Sequence, residues 1–229
     1  MIVEVIATSV MDAIKAEKGG ADRLELVSAI SEGGLTPSYG LMKEVLKAVE
    51  IPVYVMIRPH SSSFIYTEAD VKTMMEDIHI AKQLGASGIV TGALNERGEV
   101  DEEFLHIVTK HADGLGITFH RAFDEVTDQL GALAMLKTFP QVQRVLTSGG
   151  QGEAMDALER YSALVKQTEV SHLAIMAGAG LTAGILETFL KETQVNEIHF
   201  GRGVRESHDY RLPIDEHKIQ EIKQICRGI

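Results

Sequence analysis

The chain has 229 residues, with 22 Lys+Arg against 33 Asp+Glu and a formal net charge of −11. Apolar residues at 45% and charged residues at 24% exclude a collagenous, low-complexity or mainly disordered chain. The acidic balance, without a Lys/Arg cluster, argues against nucleic acid and anionic membrane as partners. The single cysteine, Cys226, allows no internal disulfide and suits a reducing cytoplasm. The longest uncharged apolar stretch, 173–186, is short for a membrane span and is broken by glycines. The opening Met1-Ile2-Val3-Glu4 has no basic region of the kind a signal peptide carries. No Pro/Gly/Ser linker divides the chain, which reads as one domain over 1–229.

In chain order, short apolar runs alternate with amphipathic stretches. The runs 2–7, 23–28, 51–58, 88–93, 115–121, 144–148, 172–177 and 196–201 read as buried parallel strands. Helices are expected at 10–19, 38–49, 67–84, 101–112, 128–139, 153–168, 182–193 and 214–227. Ser9, Thr67 and Thr182 stand at N-cap positions, Thr67 with Asp70 at capping-box spacing. Gly19-Gly20 and Gly85 stand where helices end. Four segments, beginning Ala21-Asp22-Arg23, Ala86-Ser87-Gly88, Val142-Gln143-Arg144 and Val195-Asn196-Glu197, repeat a helix-end-to-strand pattern about two βα units apart. Eight units in this length imply a (β/α)8 TIM barrel. A doubly wound open sheet is the rival. The count of eight and the lack of a first-turn GxGxxG favour the barrel.

A barrel strand turns one face to the helices and the other to the lumen. Taking the more apolar face as the outer one places Val3, Val5, Leu24, Leu26, Val53, Val55, Ile57, Ile117, Phe119, Ile198 and Phe200 outside. The lumen then receives Glu4, Glu25, Tyr54, Met56, Arg58, Thr118, His120, Leu146, Ser148, Met176, Gly178 and His199. Ionisable groups are costly inside a protein unless paired, hydrated or metal-bound. Glu4, Glu25, Arg58, His120 and His199 from five strands therefore read as a functional cluster. Plainer roles stand beside this one. Glu25 with Arg58, or Glu4 with Arg58, could be a structural ion pair, and His199 a satisfied core histidine. Met56 and Met176 read as lumen filler, and Asp124 as a turn residue capping the next helix. The glycines of Ala177-Gly178-Ala179-Gly180 and Gly201-Arg202-Gly203, with Ser148-Gly149-Gly150, suit an anion site after strands six to eight, or only tight turns. The candidate anion-binding residues are Ser148, Gly149, Gly178, Gly180, Gly201 and Arg202. Loops 31–38 and 59–64 are expected to cover the barrel mouth.

The stretches Gly19-Gly20-Ala21-Asp22-Arg23-Leu24-Glu25-Leu26, Glu32-Gly33-Gly34-Leu35-Thr36-Pro37-Ser38, Pro52-Val53-Tyr54-Val55-Met56-Ile57-Arg58-Pro59, Thr118-Phe119-His120-Arg121-Ala122-Phe123-Asp124 and Arg144-Val145-Leu146-Thr147-Ser148-Gly149-Gly150 are specific in combination. Through them the chain resembles the CutC family, often described as copper homeostasis proteins. The resemblance implies a (β/α)8 barrel, a cytoplasmic homo-oligomer, usually a dimer, and a role in copper binding or tolerance. The sequence departs from the family at Ala7 and Val27, where many relatives carry cysteine, and at Met176-Ala177-Gly178, where relatives often have Met-Pro-Gly. Cu(I) prefers soft thiolates, and Cys226 alone provides no two-thiolate site.

Two functional classes follow, with a purely structural or partner-binding scaffold as a third. One is a metal-binding protein using Glu4, Glu25, His120 and His199, with copper implied by the resemblance and zinc or manganese equally suited to these ligands. The other is an isomerase, lyase or hydrolase acting on a small phosphorylated or carboxylated metabolite at the barrel mouth. In it Glu25, Arg58 and His120 would be catalytic. No nucleotide cofactor is expected. The absence of a lysine at an expected strand end argues against a Schiff-base aldolase.

Overall fold

The computed structural model describes residues 1–150 and 152–229. Eight parallel strands close into a barrel in sequence order. They are β1 (Ile2–Ala7), β2 (Arg23–Leu26), β3 (Val53–Met56), β4 (Gly88–Thr91), β5 (Gly116–Phe119), β6 (Val142–Thr147), β7 (Ala174–Ala177) and β8 (Glu197–Phe200). The surrounding helices are α1 (Val10–Gly19), α2 (Tyr39–Ala48), α3 (Glu68–Gln83), α4 (Glu102–His111), α5 (Gln129–Leu136), α6 (Leu158–Thr168), α7 (Ala183–Thr193) and α8 (Glu216–Gly228). The chain is a TIM barrel. The alternation of elements and their number agree with the sequence reading.

The differences lie at element ends. The run 51–58 contributes only Val53–Met56 to the sheet. Pro52 has no N–H to give to a ladder, although its carbonyl still accepts from Leu24 N–H at 2.9 Å. Arg58 and His120 stand just beyond the C-terminal ends of β3 and β5. The β6 strand begins at Val142, with a register irregularity against β5 between Ile117 and Thr118. Residues Ala154–Ala157 form a 3-10 turn before α6, so that helix starts later than its sequence suggests.

Local signals explain several boundaries. Ser9 Oγ accepts from Asp12 N–H at 3.1 Å, and Gly20 closes α1 at φ 94°. Thr67 and Asp70 form the reciprocal capping box of α3. Thr182 stands at the start of α7 but makes no side-chain cap. Asp128, not Asp124, caps α5 through Gly131 N–H at 3.0 Å.

The expected parity of the strands is observed. Val3, Val5, Leu24, Leu26, Val53, Val55, Ile57, Ile117, Phe119, Ile198 and Phe200 join the main core between sheet and helices. Burying each such side chain stabilises the fold by roughly 1.5–3 kcal/mol. A separate apolar cluster of Ile6, Val27, Tyr54, Met56 and Val90 fills part of the lumen.

Candidate active site

The site stands on a charged floor. Barrel lumens are filled in layers, each supplied by alternate strands. Here the third residue of each of the four repeated segments supplies one: Arg23 on β2, Gly88 on β4, Arg144 on β6 and Glu197 on β8. Glu197 Oε2 accepts from Arg23 Nη2 at 2.6 Å and from Arg144 Nε at 2.8 Å. The space left by Gly88 and Gly116 admits the Tyr54 ring, since a Cβ on Gly88 would meet Tyr54 Cε1 at 2.2 Å. That ring lies under both guanidinium groups, 5.2 Å from Arg23 Cζ and 4.7 Å from Arg144 Cζ. Its hydroxyl donates to Gln143 Oε1 at 2.7 Å.

Glu4 rises from this floor and is fully buried. Register places it beside Arg23 on one neighbouring strand and His199 on the other. Arg23 Nε donates to Glu4 Oε2, and His199 Nδ1 is 2.8 Å from Glu4 Oε1. Burial alone would raise the Glu4 carboxyl, but Arg23 and His199 hold it down at about 2. The expected Glu4–Arg58 contact is therefore replaced by Glu4–Arg23. The strand parity that selected Glu25, Leu146 and His199 also covers Arg23, Arg144 and Glu197 two residues earlier, so the signal for them was present.

Glu25 lies above, with Oε2 3.7 Å from His199 Nε2. Its Oε1 is buried with no hydrogen-bond partner among the described residues. Burial raises the Glu25 carboxyl to about 7, with nearby Glu4 adding and His199 and Arg23 opposing. His199 is raised in turn because Glu25 and Glu4 outweigh its own desolvation.

Glu25 and Arg58 do not form the suggested ion pair. Arg58 Nη1 instead donates to the carbonyls of Glu32 at 3.0 Å and Gly34 at 3.3 Å, and the guanidinium lies 4.6 Å from the Phe64 ring centre. This leaves Arg58 Nε buried without a partner among the described residues. His120 also packs against Phe64, ring centres 4.9 Å apart. Its Nδ1 accepts from Ala122 N–H at 3.3 Å, which fixes the proton on Nε2 in the neutral ring. Nε2 is likewise buried and unpartnered among the described residues. Burial, helped by the Arg58 charge, pushes His120 down to about 3, so the ring is neutral.

Glu25, Arg58, His120 and His199 line one cavity of about 570 Å³ at the C-terminal end of the barrel. Gly33 and Phe64 bring the two expected covering loops to its wall. The proposed four-ligand metal set is not assembled. Glu4, Glu25 and His199 offer ligand atoms within 4.8 Å of one another, and His120 is outside that group. Its ring is turned instead to Phe64 and the Ala122 amide.

Gly178, Gly180, Gly201 and Arg202 also line the cavity, whereas Ser148 and Gly149 do not. Asp124 does not cap a helix. It accepts from the Thr147 hydroxyl, from Ser148 N–H at 3.1 Å and from Ser148 Oγ at 2.8 Å, and pairs with Arg121 at 2.8 Å. It thus ties the loop after β5 to the end of β6. Gly149 N–H is held by Thr147 Oγ1 at 2.8 Å and Gly178 N–H by the Thr147 carbonyl at 2.9 Å.

Sequence reasoning overlooked Glu153 and Tyr210, both on the cavity wall. Tyr210 belongs to an excursion whose ends meet at an Arg205–Ile214 bridge. Arg205 is buried and anchors this loop through Asp12, at 3.2 and 2.7 Å, and the Leu212 carbonyl at 2.9 Å. Residue order gave no signal for that contact.

Residues 1–204 match the model of the CutC family. A family protein CutC from Histophilus somni is 43% identical over 199 residues, covering 87% of this chain and 81% of that protein. The human copper homeostasis protein cutC homolog is 42% identical over 207 residues, covering 90% of this chain and 75% of that protein. The crystal structure of a CutC protein from Streptococcus agalactiae superposes with a TM-score of 0.82 at 32% identity, covering 88% of this chain and 98% of that one. Phosphoribosyl anthranilate isomerase from Thermotoga maritima shares the fold alone, with a TM-score of 0.68 at 14% identity over 100% of both chains. The chain belongs to the CutC family.

Proposed function

We propose that the barrel mouth binds a small anionic metabolite and moves a proton on it, in a reaction of the isomerase, lyase or hydrolase class. One observation carries this reading. Three residues that line the same cavity, Glu25 on β2, Arg58 after β3 and His120 after β5, each carry a buried polar atom without a partner among the described residues: Glu25 Oε1, Arg58 Nε and His120 Nε2. Leaving a buried polar atom unpaired costs about 1–3 kcal/mol, and side chains that turn these atoms towards a ligand recover that cost.

The roles follow from protonation. Glu25, titrating near 7, exchanges a proton at neutral pH, which suits a general base or acid. Neutral His120 offers Nε2–H to an oxygen on which negative charge develops. Arg58 holds the anionic group. Burial raises the Glu25 carboxyl into this range, with Glu4 adding to it and His199 and Arg23 opposing it. The test is a thermal-shift screen of carboxylated and phosphorylated metabolites, with each hit followed by NMR for exchange of carbon-bound hydrogen in D2O. Exchange lost in both Glu25→Gln and His120→Gln supports the reading. Hits unaffected by either substitution contradict it.

A metal-handling role is the second reading. It is favoured by the copper homeostasis name of the human relative and by the Glu4, Glu25 and His199 group. The donor set does not suit Cu(I). Ala7 and Val27 bring no thiolate, Met176 Sδ is taken by Arg23 Nη2 at 3.2 Å, and Arg23 sets a positive charge against Glu4. Oxygen and imidazole donors suit Zn²⁺, Mn²⁺ or Cu²⁺ better. Calorimetric titration of metal-stripped protein with Cu⁺, Cu²⁺, Zn²⁺ and Mn²⁺, beside Glu25→Gln, tests this role. A cytoplasmic homodimer remains the setting that the family reading proposes, and light scattering tests the dimer.

A further inference from the structure

TIM barrels commonly seat phosphate between the loops after the seventh and eighth strands. In this chain that corner is occupied by the protein itself. The N–H groups of Ser148, Gly149 and Gly178 are committed to Asp124 and Thr147. A Cβ built on Gly180 would lie 1.3 Å from Oε2 of Glu153, so that carboxylate rests on the backbone a phosphate would approach. A Cβ on Gly201 would lie 2.0 Å from the Tyr210 hydroxyl. The glycines thus make room for a carboxylate and a phenol of the same chain.

The unpartnered donors are elsewhere, after β3 and β5. Arg58 Nη1 serves two loop carbonyls, and the guanidinium keeps its positive charge at the cavity wall. His120, which also packs on Phe64 and lines the same cavity, supplies a second donor at Nε2–H. Two donors match the two oxygens of a carboxylate, or a carboxylate beside a carbonyl, better than the three oxygens of a phosphate dianion. Glu25 Oε1, also unpartnered, takes a hydroxyl or the proton being moved.

We infer that Glu153 and Tyr210 close the corner between β7 and β8 to phosphate, and that the ligand is a small hydroxy- or oxo-carboxylate seated on Arg58 and His120. This deepens, and rests on, the reading of the mouth as an anionic-metabolite site. Glu153 is here a specificity-determining residue that repels a phosphate ester by like charge.

The experiment is calorimetric titration of the full chain with inorganic phosphate and with lactate, pyruvate and malate. Glu153→Gln, Glu153→Ala and Arg58→Lys are run beside it. The unsubstituted chain is expected to bind at least one carboxylate, and phosphate at least tenfold more weakly. Both Glu153 variants should tighten phosphate at least tenfold and leave carboxylate affinity within twofold, while Arg58→Lys weakens the carboxylate at least tenfold. Phosphate binding the unsubstituted chain as tightly as the carboxylates overturns the inference, as does no gain in the Glu153 variants or no carboxylate binding. Phosphate binding that depends on Arg58 would defeat the inference and leave the anion site standing. Binding of neither carboxylate nor phosphate, or binding unchanged in Arg58→Lys, would defeat both.

Discussion

Replacing Arg23 with methionine removes the central cation of the barrel floor while keeping most of its apolar stem. Arg23 donates to Glu4 and, at 2.6 Å, to Glu197. Arg144 still neutralises Glu197 in the variant, at 2.8 Å, but Glu4 keeps only His199. Breaking a buried pair from one side costs about 3–5 kcal/mol, because the remaining charge stays buried. Equilibrium urea unfolding followed by circular dichroism should show that loss at pH 7 for Arg23→Met. Glu4→Gln should cost less, and the double variant should recover about 1–3 kcal/mol relative to the sum of the singles. The pH dependence adds a second reading. Glu4 titrates at about 2 when folded, against 4.5 for an ordinary glutamate. Its stabilisation is therefore present above 4.5 and lost as pH falls towards 2. In Arg23→Met the Glu4 carboxyl rises, so less stability remains to be lost in that window. A cost below about 1 kcal/mol, or strictly additive singles, would refute the reasoning, since buried pairs should couple.

Three other outcomes follow from the same contacts. Glu25 is raised from 4.5 to about 7, so its ionisation costs stability progressively as pH rises between those values. Glu25→Gln should therefore stabilise the fold at pH 8 by on the order of 3 kcal/mol, seen as a higher urea midpoint, and not at pH 4; equal midpoints at pH 8 would contradict the assignment. Gly88→Ala drives a methyl to within 2.2 Å of Tyr54 Cε1 and 2.5 Å of the Gly116 carbonyl. It should cost about 1–3 kcal/mol or more, and a thermal midpoint matching the parent would show that the ring is not confined. Asp128→Ala removes the α5 cap and should cost about 1 kcal/mol. Asp124→Ala, which releases Thr147, Ser148 and Arg121, should cost more in urea unfolding; the reverse order would restore Asp124 as a simple cap.

Strand parity made the lumen legible because the helix-facing side of each strand must be apolar. Glu4, Glu25 and His199 were placed together on that ground, and they meet within 4.8 Å. The repeat at intervals of two βα units held more information than was used. It marks alternate strands, and its third position names Arg23, Gly88, Arg144 and Glu197 as one layer of the floor. Pairing partners were less legible, since a long side chain selects among neighbours on several strands. Arg58 turned to the Glu32 and Gly34 carbonyls rather than to Glu25. Asp124 reached across to β6 instead of down its own chain. Tyr210 and Glu153 arrive at the mouth on loops whose course depends on distant contacts, such as Arg205 with Asp12. No periodicity reports these.

The account depends most on Glu25 being an ionisable group poised at neutral pH inside the mouth. Carbon-13 NMR titration of the glutamate carboxyl carbons, with Glu25→Gln to assign the signal, measures this directly. The account predicts a Glu25 midpoint near 7. A midpoint near 4.5, the ordinary glutamate value, would mean a carboxylate already ionised at neutral pH, and the proposed proton transfer at this site would have no support.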